Sequence, residues 1–319
     1  MNNIFIDGLA GTTGLQIHSR LKDRRDVNII EIEAKYRKNL SARKDMINSA
    51  DVVILCLPDQ AARESVSLIS SPNVRVLDAS SAHRVTDGWT YGLPELSQNQ
   101  STLIESASRV SNPGCYPTGA ILLLKPLIEA KLLDANYPYA VNAVSGYTGG
   151  GREAIARFED PNHKSHISSQ VRRYALHDEH KHIKEIHKYC NLVNKPVFTP
   201  MYGNYRQGII LQIPIQLNRC SSRANAEHLR QELREHYHDS QFISVGSYSS
   251  IIDVDGLEPD IHNNSNKVTL HVLAPKNTDH VVLTAIYDNL GKGASGAAVQ
   301  NLEIMLGLDP SDGSVAPLT

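Results

Sequence analysis

Four cysteines, Cys56, Cys115, Cys190 and Cys220, occur in the 319 residues, and only Cys115 stands in a loop shaped for chemistry. The stretch Ser111-Asn112-Pro113-Gly114-Cys115-Tyr116-Pro117-Thr118-Gly119 is stiffened by two prolines and opened by two glycines, and the apolar run Ala120 to Leu124 follows it. Pro117 suits the first turn of a helix, because its fixed φ is helical and its missing N–H is not needed there. Cys115 is then expected at a helix N-terminus, where the aligned peptide dipoles favour a thiolate, and Gly114 leaves room for a substrate beside the sulfur. The other three cysteines have no comparable loop and read as small buried hydrophobes. With no CxxC pair, neither a disulfide framework nor a zinc site is expected.

A thiolate nucleophile needs a proton donor and acceptor nearby, and histidine titrates in the right range. The run His180-Lys181-His182-Ile183-Lys184-Glu185-Ile186 is the candidate. HxHxxE also resembles part of a metal site, but no third histidine or cysteine lies at ligand spacing, so no metal is expected. An anionic substrate calls for arginine, whose planar fork binds carboxylate or phosphate through two bonds. Arg152, after Gly149-Gly150-Gly151, and Arg206, in Tyr205-Arg206-Gln207-Gly208, are the substrate-binding candidates.

A third constellation opens the chain. The short apolar strand Asn3 to Ile6 runs into Gly8, Gly11 and Gly14, spaced GxxGxxG, with Thr12 and Thr13 between them. Glycine there allows a tight turn and lets backbone N–H groups approach a pyrophosphate at the start of the next helix. The usual GxGxxG spacing is not met, but the placement between first strand and first helix points to a dinucleotide. Glu31 and Glu33 lie near the end of the second strand, where a carboxylate would hold ribose hydroxyls, yet Lys35, Arg37, Lys38 and Arg43 follow at once. Such a cluster would welcome a 2′-phosphate; a solvated basic loop has the same composition, and spacing alone leaves both readings standing.

The elements that must position these residues follow from periodicity. Asn3 to Ile6, Val27 to Ile32, Asp51 to Pro58 and Val74 to Asp78 read as strands alternating with helical segments, and Leu15, Ile17 and Leu21 are expected on one face of the first helix. That alternation predicts an α/β, Rossmann-type doubly wound parallel sheet. Beyond about Cys115 the strands lengthen and alternate polar with apolar residues: Ala140 to Val144, Gly208 to Leu217, Lys267 to Leu273 and His280 to Tyr287. A second, α+β domain with an antiparallel sheet packed on one side is expected, with a helix over Ala224 to Tyr237 and a last one over Ala294 to Leu306. The dinucleotide-binding domain is placed at residues 1–115 plus 289–319. The catalytic, substrate and oligomerisation domain is placed at 116–288. A net charge of −2 gives no footprint for nucleic acid. No apolar run approaches the ~20 residues that span a membrane, and the first residues show no secretory leader, so a cytoplasmic protein is expected.

Taken in order, these stretches resemble the N-acetyl-gamma-glutamyl-phosphate reductases, and in particular their shorter form. The resemblance also draws on Asp78-Ala79-Ser80-Ser81-Ala82-His83-Arg84-Val85, Tyr91-Gly92-Leu93-Pro94-Glu95-Leu96 and Asn289-Leu290-Gly291-Lys292-Gly293 through Asn301, and it spans nearly the whole chain. It implies a semialdehyde-dehydrogenase-like fold, NADP(H) as cofactor, and a small-molecule substrate, N-acetyl-L-glutamyl 5-phosphate, from which phosphate is released. It implies Cys115 as the acylated nucleophile and His180 as the acid/base, with His182 and Glu185 shaping the substrate pocket. Cofactor contacts are implied from Gly8 to Gly14 and from Asn289 and Lys292, and a homo-oligomer, tetramer or dimer, is implied. Lys184 departs from the proline common in the family and is expected to change loop stiffness rather than chemistry. Aspartate-semialdehyde dehydrogenase, a reductase of carrier-linked substrates, and a non-catalytic NADP-sensing regulator are the rival readings.

Overall fold

The structure, a computed structural model, describes residues 1–177, 179–221, 224–247, 256–275 and 278–310. They form two compact units: Met1–Pro113 with the described residues from Ala294 on, and Gly114–Gly293.

The first unit is built on six parallel strands in the order β2-β1-β3-β4-β6-β5. They are β1 (Asn2–Asp7), β2 (Val27–Ile30), β3 (Val52–Leu55), β4 (Arg75–Asp78), β5 (Thr90–Tyr91) and β6 (Arg109–Ser111). Successive side chains point to opposite faces of a strand, so a sheet covered on both sides needs apolar residues throughout. Ile4, Ile6, Val52, Ile54 and Leu77 pack on one face with Ile17 and Leu21 of α1 (Thr12–Leu21) and with Ala298, Val299 and Leu302 of the last helix, α9 (Gly296–Met305). Phe5, Val53, Leu55 and Val76 pack on the other with Ile47 of α2 (Leu40–Ser49) and Ala62 of α3 (Asp59–Ser67). A short α4 (Gln100–Ser106) precedes β6.

Leu15 departs from the expected helix face: it is 49% exposed. Ile17 and Leu21 lie four positions apart and share a face, whereas Leu15 is two positions, about 200°, from Ile17. Gly14 and Gln16 are the buried neighbours instead, and Gln16 accepts a hydrogen bond from the Ser295 hydroxyl at 3.0 Å. The second strand also stops at Ile30, two residues earlier than its apolar pattern suggests.

The second unit carries a seven-stranded mixed sheet in the order β11-β12-β13-β10-β7-β9-β8. Its strands are β7 (Ala140–Gly146), β8 (Val171–Arg173), β9 (Val197–Gly203), β10 (Ile209–Gln216), β11 (Ile243–Val245), β12 (Val268–Leu273) and β13 (His280–Tyr287). In β10, Leu211, Ile213 and Ile215 are buried while Gln212, Pro214 and Gln216 are exposed, so one face of this strand meets the core. The helices are α5 (Cys115–Glu129), α6 (Gly151–Glu159), α7 (His182–Tyr189) and α8 (Ala226–His236), and α5 and α8 pack on the sheet. Pro126 inside α5 cannot donate to the Leu122 carbonyl, and the Tyr237 hydroxyl supplies the missing donor at 2.9 Å.

Candidate active site

The glycine turn sits where strand order reverses, between β1 and β3, which is where open α/β sheets bind nucleotides. Gly8 holds φ +98°, and a Cβ there would lie 2.3 Å from the Cys56 carbonyl oxygen. A Cβ at Gly14 would lie 2.6 Å from the Gly8 carbonyl oxygen. Gly11 caps α1, its N–H donates to the Gly8 carbonyl at 3.0 Å, and Thr12 and Thr13 form the helix's first turn. At Gly8 and Gly14 the backbone is thus packed too tightly for a side chain. Gly8→Ala is expected to cost roughly 1–3 kcal/mol, because it adds strain at positive φ to a backbone clash. Thermal melts with and without NADP⁺ read both the lost stability and the lost binding.

A cavity of about 620 Å³ opens beside this turn, lined by Gly8, Leu9, Glu31, Arg37, Lys38 and Arg43 among others. Both acids near the end of β2 are engaged: Glu31 meets the His18 Nε2 at 3.1 Å and Glu33 the Lys35 ammonium at 2.8 Å. Arg43 is buried and bonded to Asp7 at 2.9 Å, to Ser65 at 2.6 Å and to Glu64 at 3.3 Å, so it braces the cavity floor. A turn with no room for a side chain at Gly8 or Gly14, a helix N-terminus and a cavity bordered by Arg37 and Lys38 fit a dinucleotide carrying a 2′-phosphate. Asn112 is held in this unit by the Asp78 carbonyl, by the Ala294 carbonyl and by the Asn301 amide.

Cys115 is the first residue of α5 and is half-buried, with Gly114 as the N-cap. Pro117 falls in the first turn, and the Thr118 N–H is the first to bond back, to the Gly114 carbonyl at 3.2 Å. The Gly114 N–H donates to the Glu185 carboxylate at 2.9 Å, and Glu185 is buried. Glu185 thereby fastens α7 to the residue that precedes Cys115. Glu185→Ala strands a buried donor, which costs about 1–3 kcal/mol. It is expected to lower both the denaturation midpoint and kcat, while Glu185→Gln, which keeps an acceptor, retains most of both.

The histidines stand against Tyr116, the neighbour of Cys115. The rings of His180 and His182 lie 6.2 and 5.6 Å from that of Tyr116 and 4.5 Å from each other. Phe198 and Tyr174 close the wall around His180, at 5.1 and 5.8 Å. The His182 N–H donates to His180 Nδ1 at 3.2 Å, so in the neutral ring Nε2 carries the proton. Tyr174 stacks on Tyr202 at 4.2 Å, and its hydroxyl donates to the Tyr116 hydroxyl at 3.0 Å. Burial, and then the charge of nearby Cys115, push the Tyr116 and Tyr202 hydroxyls above their ordinary range; for Tyr174, burial and its tyrosine neighbours act ahead of Cys115. No run of residues announces this tyrosine cage. Tyr116, Tyr174 and Tyr202 meet only through the pairing of β8 with β9 and the placement of α5.

The remaining expected site residues divide. Arg206 is exposed and ion-paired with Glu159, and Arg152 is exposed in the first turn of α6. Asn289 is buried, accepting from the Gly208 N–H at 2.8 Å and donating to the Thr148 hydroxyl at 3.2 Å. Lys292 is fully buried, its ammonium 5.3 Å from the Phe242 ring centre. Lys184 lies exposed in the first turn of α7, in a helix and not in a loop as expected; a helix's first turn accepts either lysine or proline. Burial raises the Cys56 and Cys190 thiols well above the ordinary range and also raises Cys220. Among the described residues, no three His, Cys, Asp or Glu side chains converge as a metal site.

Residues 3–104 match the family model described as semialdehyde dehydrogenase, NAD binding domain, and residues 115–289 match semialdehyde dehydrogenase, dimerisation domain. An N-acetyl-gamma-glutamyl-phosphate reductase 2 of Pseudomonas putida is 51% identical over 304 residues, covering 95% of this chain and 96% of the relative. An N-acetyl-gamma-glutamyl-phosphate reductase of Burkholderia orbicola is 49% identical, covering 95% and 97%. Among solved structures, a probable aspartate-semialdehyde dehydrogenase of Pseudomonas aeruginosa superposes with a TM-score of 0.70 at 14% identity, covering 96% of this chain and 98% of the other. At that identity the likeness speaks for the fold alone.

Proposed function

The chain belongs to the N-acetyl-gamma-glutamyl-phosphate reductases of the semialdehyde dehydrogenase family, and from that premise we propose that Cys115 is its nucleophile and His180 its acid/base. The protein is an oxidoreductase of arginine biosynthesis. It reduces N-acetyl-L-glutamyl 5-phosphate to N-acetyl-L-glutamate 5-semialdehyde and releases phosphate, with a nicotinamide dinucleotide as cofactor. The observation that carries the residue assignment is Cys115 at the start of α5, tied through Gly114 to Glu185 and flanked at Tyr116 by both histidines.

In the proposed sequence the Cys115 thiolate attacks the acyl carbonyl, the carbon–oxygen bond to phosphate breaks, and a thioester remains on Sγ. The positive end of α5 stabilises both the thiolate and the oxyanion of this step. The Gly114 N–H is spent on Glu185, so oxyanion donors come from amides further into the helix. When bound, the nicotinamide supplies the hydride that reduces the thioester. His180 works from Nε2: its proton shifts toward the substrate oxygen as the thiohemiacetal forms and returns as the carbon–sulfur bond breaks. Tyr116, Tyr174 and Tyr202 form a wall beside these groups. His182, Glu185, Arg152 and Arg206 complete the proposed substrate side, with Arg152 and Arg206 reaching it from exposed positions.

Gly8, Gly11, Thr12, Thr13 and Gly14 would hold the pyrophosphate and Arg37 and Lys38 a 2′-phosphate, which makes the cofactor NADPH. Asn289 and Lys292 belong to the same proposal as cofactor contacts. The family's dimerisation domain covers the second unit, and the protein is a homo-oligomer. A tetramer or dimer, phosphate as the released partner, and a cytoplasmic location belong to the same proposal; no described helix is long and apolar enough to cross a membrane. The domain assignment, 1–115 plus 289–319 for the dinucleotide and 116–288 for catalysis and assembly, does too.

The test is the reverse reaction, with N-acetyl-L-glutamate 5-semialdehyde, phosphate and NADP⁺ followed at the nicotinamide absorbance. Phosphate-dependent reduction of NADP⁺, with a higher kcat/KM than for NAD⁺, is expected. No phosphate-dependent turnover rejects the reaction; an equal or better kcat/KM with NAD⁺ rejects the cofactor assignment.

A further inference from the structure

We propose that Tyr287 is the positioning residue of the nucleophile: its hydroxyl, bonded to the first turn of α5, sets the orientation of Cys115. The inference rests on the reading that Cys115 carries the acyl group. In an α-helix the N–H of residue 119 would bond directly to the carbonyl of residue 115. Here one phenolic oxygen also bonds to both groups. The Tyr287 hydroxyl donates to the Cys115 carbonyl at 2.6 Å and accepts from the Gly119 N–H at 3.2 Å.

The surroundings are shaped for this insertion. A Cβ on Gly119 would lie 2.6 Å from the Tyr287 ring and 2.7 Å from its hydroxyl, so the ring occupies the space of the side chain that residue 119 lacks. A Cβ on Gly293 would lie 3.0 Å from the Cys115 Cβ, so the backbone closes on the cysteine from a second direction. Tyr287 itself is fully buried at the end of β13, paired with Ile209 of β10 on one side and Val268 of β12 on the other. A residue held in three adjacent strands is a stiff mount, and what it holds is the carbonyl of the first helical residue. Burial, reinforced by the nearby Cys115 charge, keeps the phenol protonated far above neutral pH, so the donor to Cys115 persists under working conditions.

Fixing the Cys115 carbonyl fixes the backbone from which Sγ projects. Without the oxygen, the Cys115 carbonyl loses this donor, and the backbone that carries the sulfur is held by one contact fewer. Loss of a fraction of an ångström in placing a reacting atom is felt in the rate of the chemical step more than in substrate binding.

Tyr287→Phe removes the oxygen and keeps the ring. Two readouts are taken on the intact enzyme: kcat and KM for the semialdehyde, and the rate of iodoacetamide labelling at Cys115 across pH. A roughly tenfold fall in kcat is expected, with KM moving less than about twofold and the labelling profile at Cys115 shifted to higher pH. Gly119→Ala, which pushes the ring out of the turn, is expected to move both readouts the same way. If Tyr287→Phe folds and both readouts stay at wild-type values, with or without a lower melting temperature, the bridge is a packing feature and the proposal is overturned. If wild-type labelling that stops turnover falls on a cysteine other than Cys115, the reading beneath it fails, and the proposal with it.

Discussion

Replacing Cys115 with serine is expected to cut turnover by at least about 10³-fold while NADP⁺ binding keeps its wild-type strength. A serine hydroxyl at neutral pH supplies almost no alkoxide without a base far stronger than an imidazole, whereas a cysteine at a helix N-terminus supplies thiolate. Cys115 occupies that N-terminus, and the dinucleotide cavity is lined by residues of the first unit, from Phe5 to Glu64. The two measurements therefore separate. Turnover is read in the reverse assay and binding by nicotinamide fluorescence. A Cys115→Ser enzyme with wild-type turnover removes the covalent step, and one that loses both readouts together has lost its fold rather than its nucleophile.

The second large effect is expected at His180. His180→Gln should lower kcat by about 10²–10⁴-fold, the usual span for a positioned acid/base. His182→Gln should cost much less, because the group that orients His180 is the backbone N–H of His182, which the substitution keeps. Both rings stand within reach of Tyr116, so kinetics must assign the proton carrier. If His182→Gln is the more damaging change, His182 is the proton carrier and His180 the supporting ring.

Much of this arrangement was legible in the linear sequence, for local reasons. Gly114 and Pro117 announce a helix start, and Cys115 is the first residue of α5. The apolar runs around Val53 and Phe5 announce a sheet covered on both faces, which the two cores on either side of it confirm. Alternation announces the one-sided packing of β10. Short elements escaped: β5, β6, β8 and β11 have two or three residues each, too few to show a period. Leu15 is apolar yet exposed, because its angle around the helix, and not its spacing along the chain, decides which face it joins. Contacts that depend on tertiary pairing escaped as well. Nothing near Glu185 in the chain says that its carboxylate accepts from Gly114, 71 residues earlier. The Tyr174–Tyr202 stack and the Tyr287 bridge likewise join residues that only the folded sheet brings together. The partner of Arg206, proposed for the substrate side, is likewise set by the fold: its guanidinium pairs with Glu159, 47 residues earlier.

That the acyl group resides on one sulfur is tested by alkylating the enzyme with iodoacetamide at neutral pH, with and without the semialdehyde, and mapping the modified peptides by mass spectrometry. Cys115 is expected to be labelled first, ahead of Cys56, Cys190 and Cys220, with activity lost in step with that label and substrate protecting it. Burial raises the other three thiols, which argues for the same order. Loss of activity in step with label on one of those three, with Cys115 unmodified, would contradict the account.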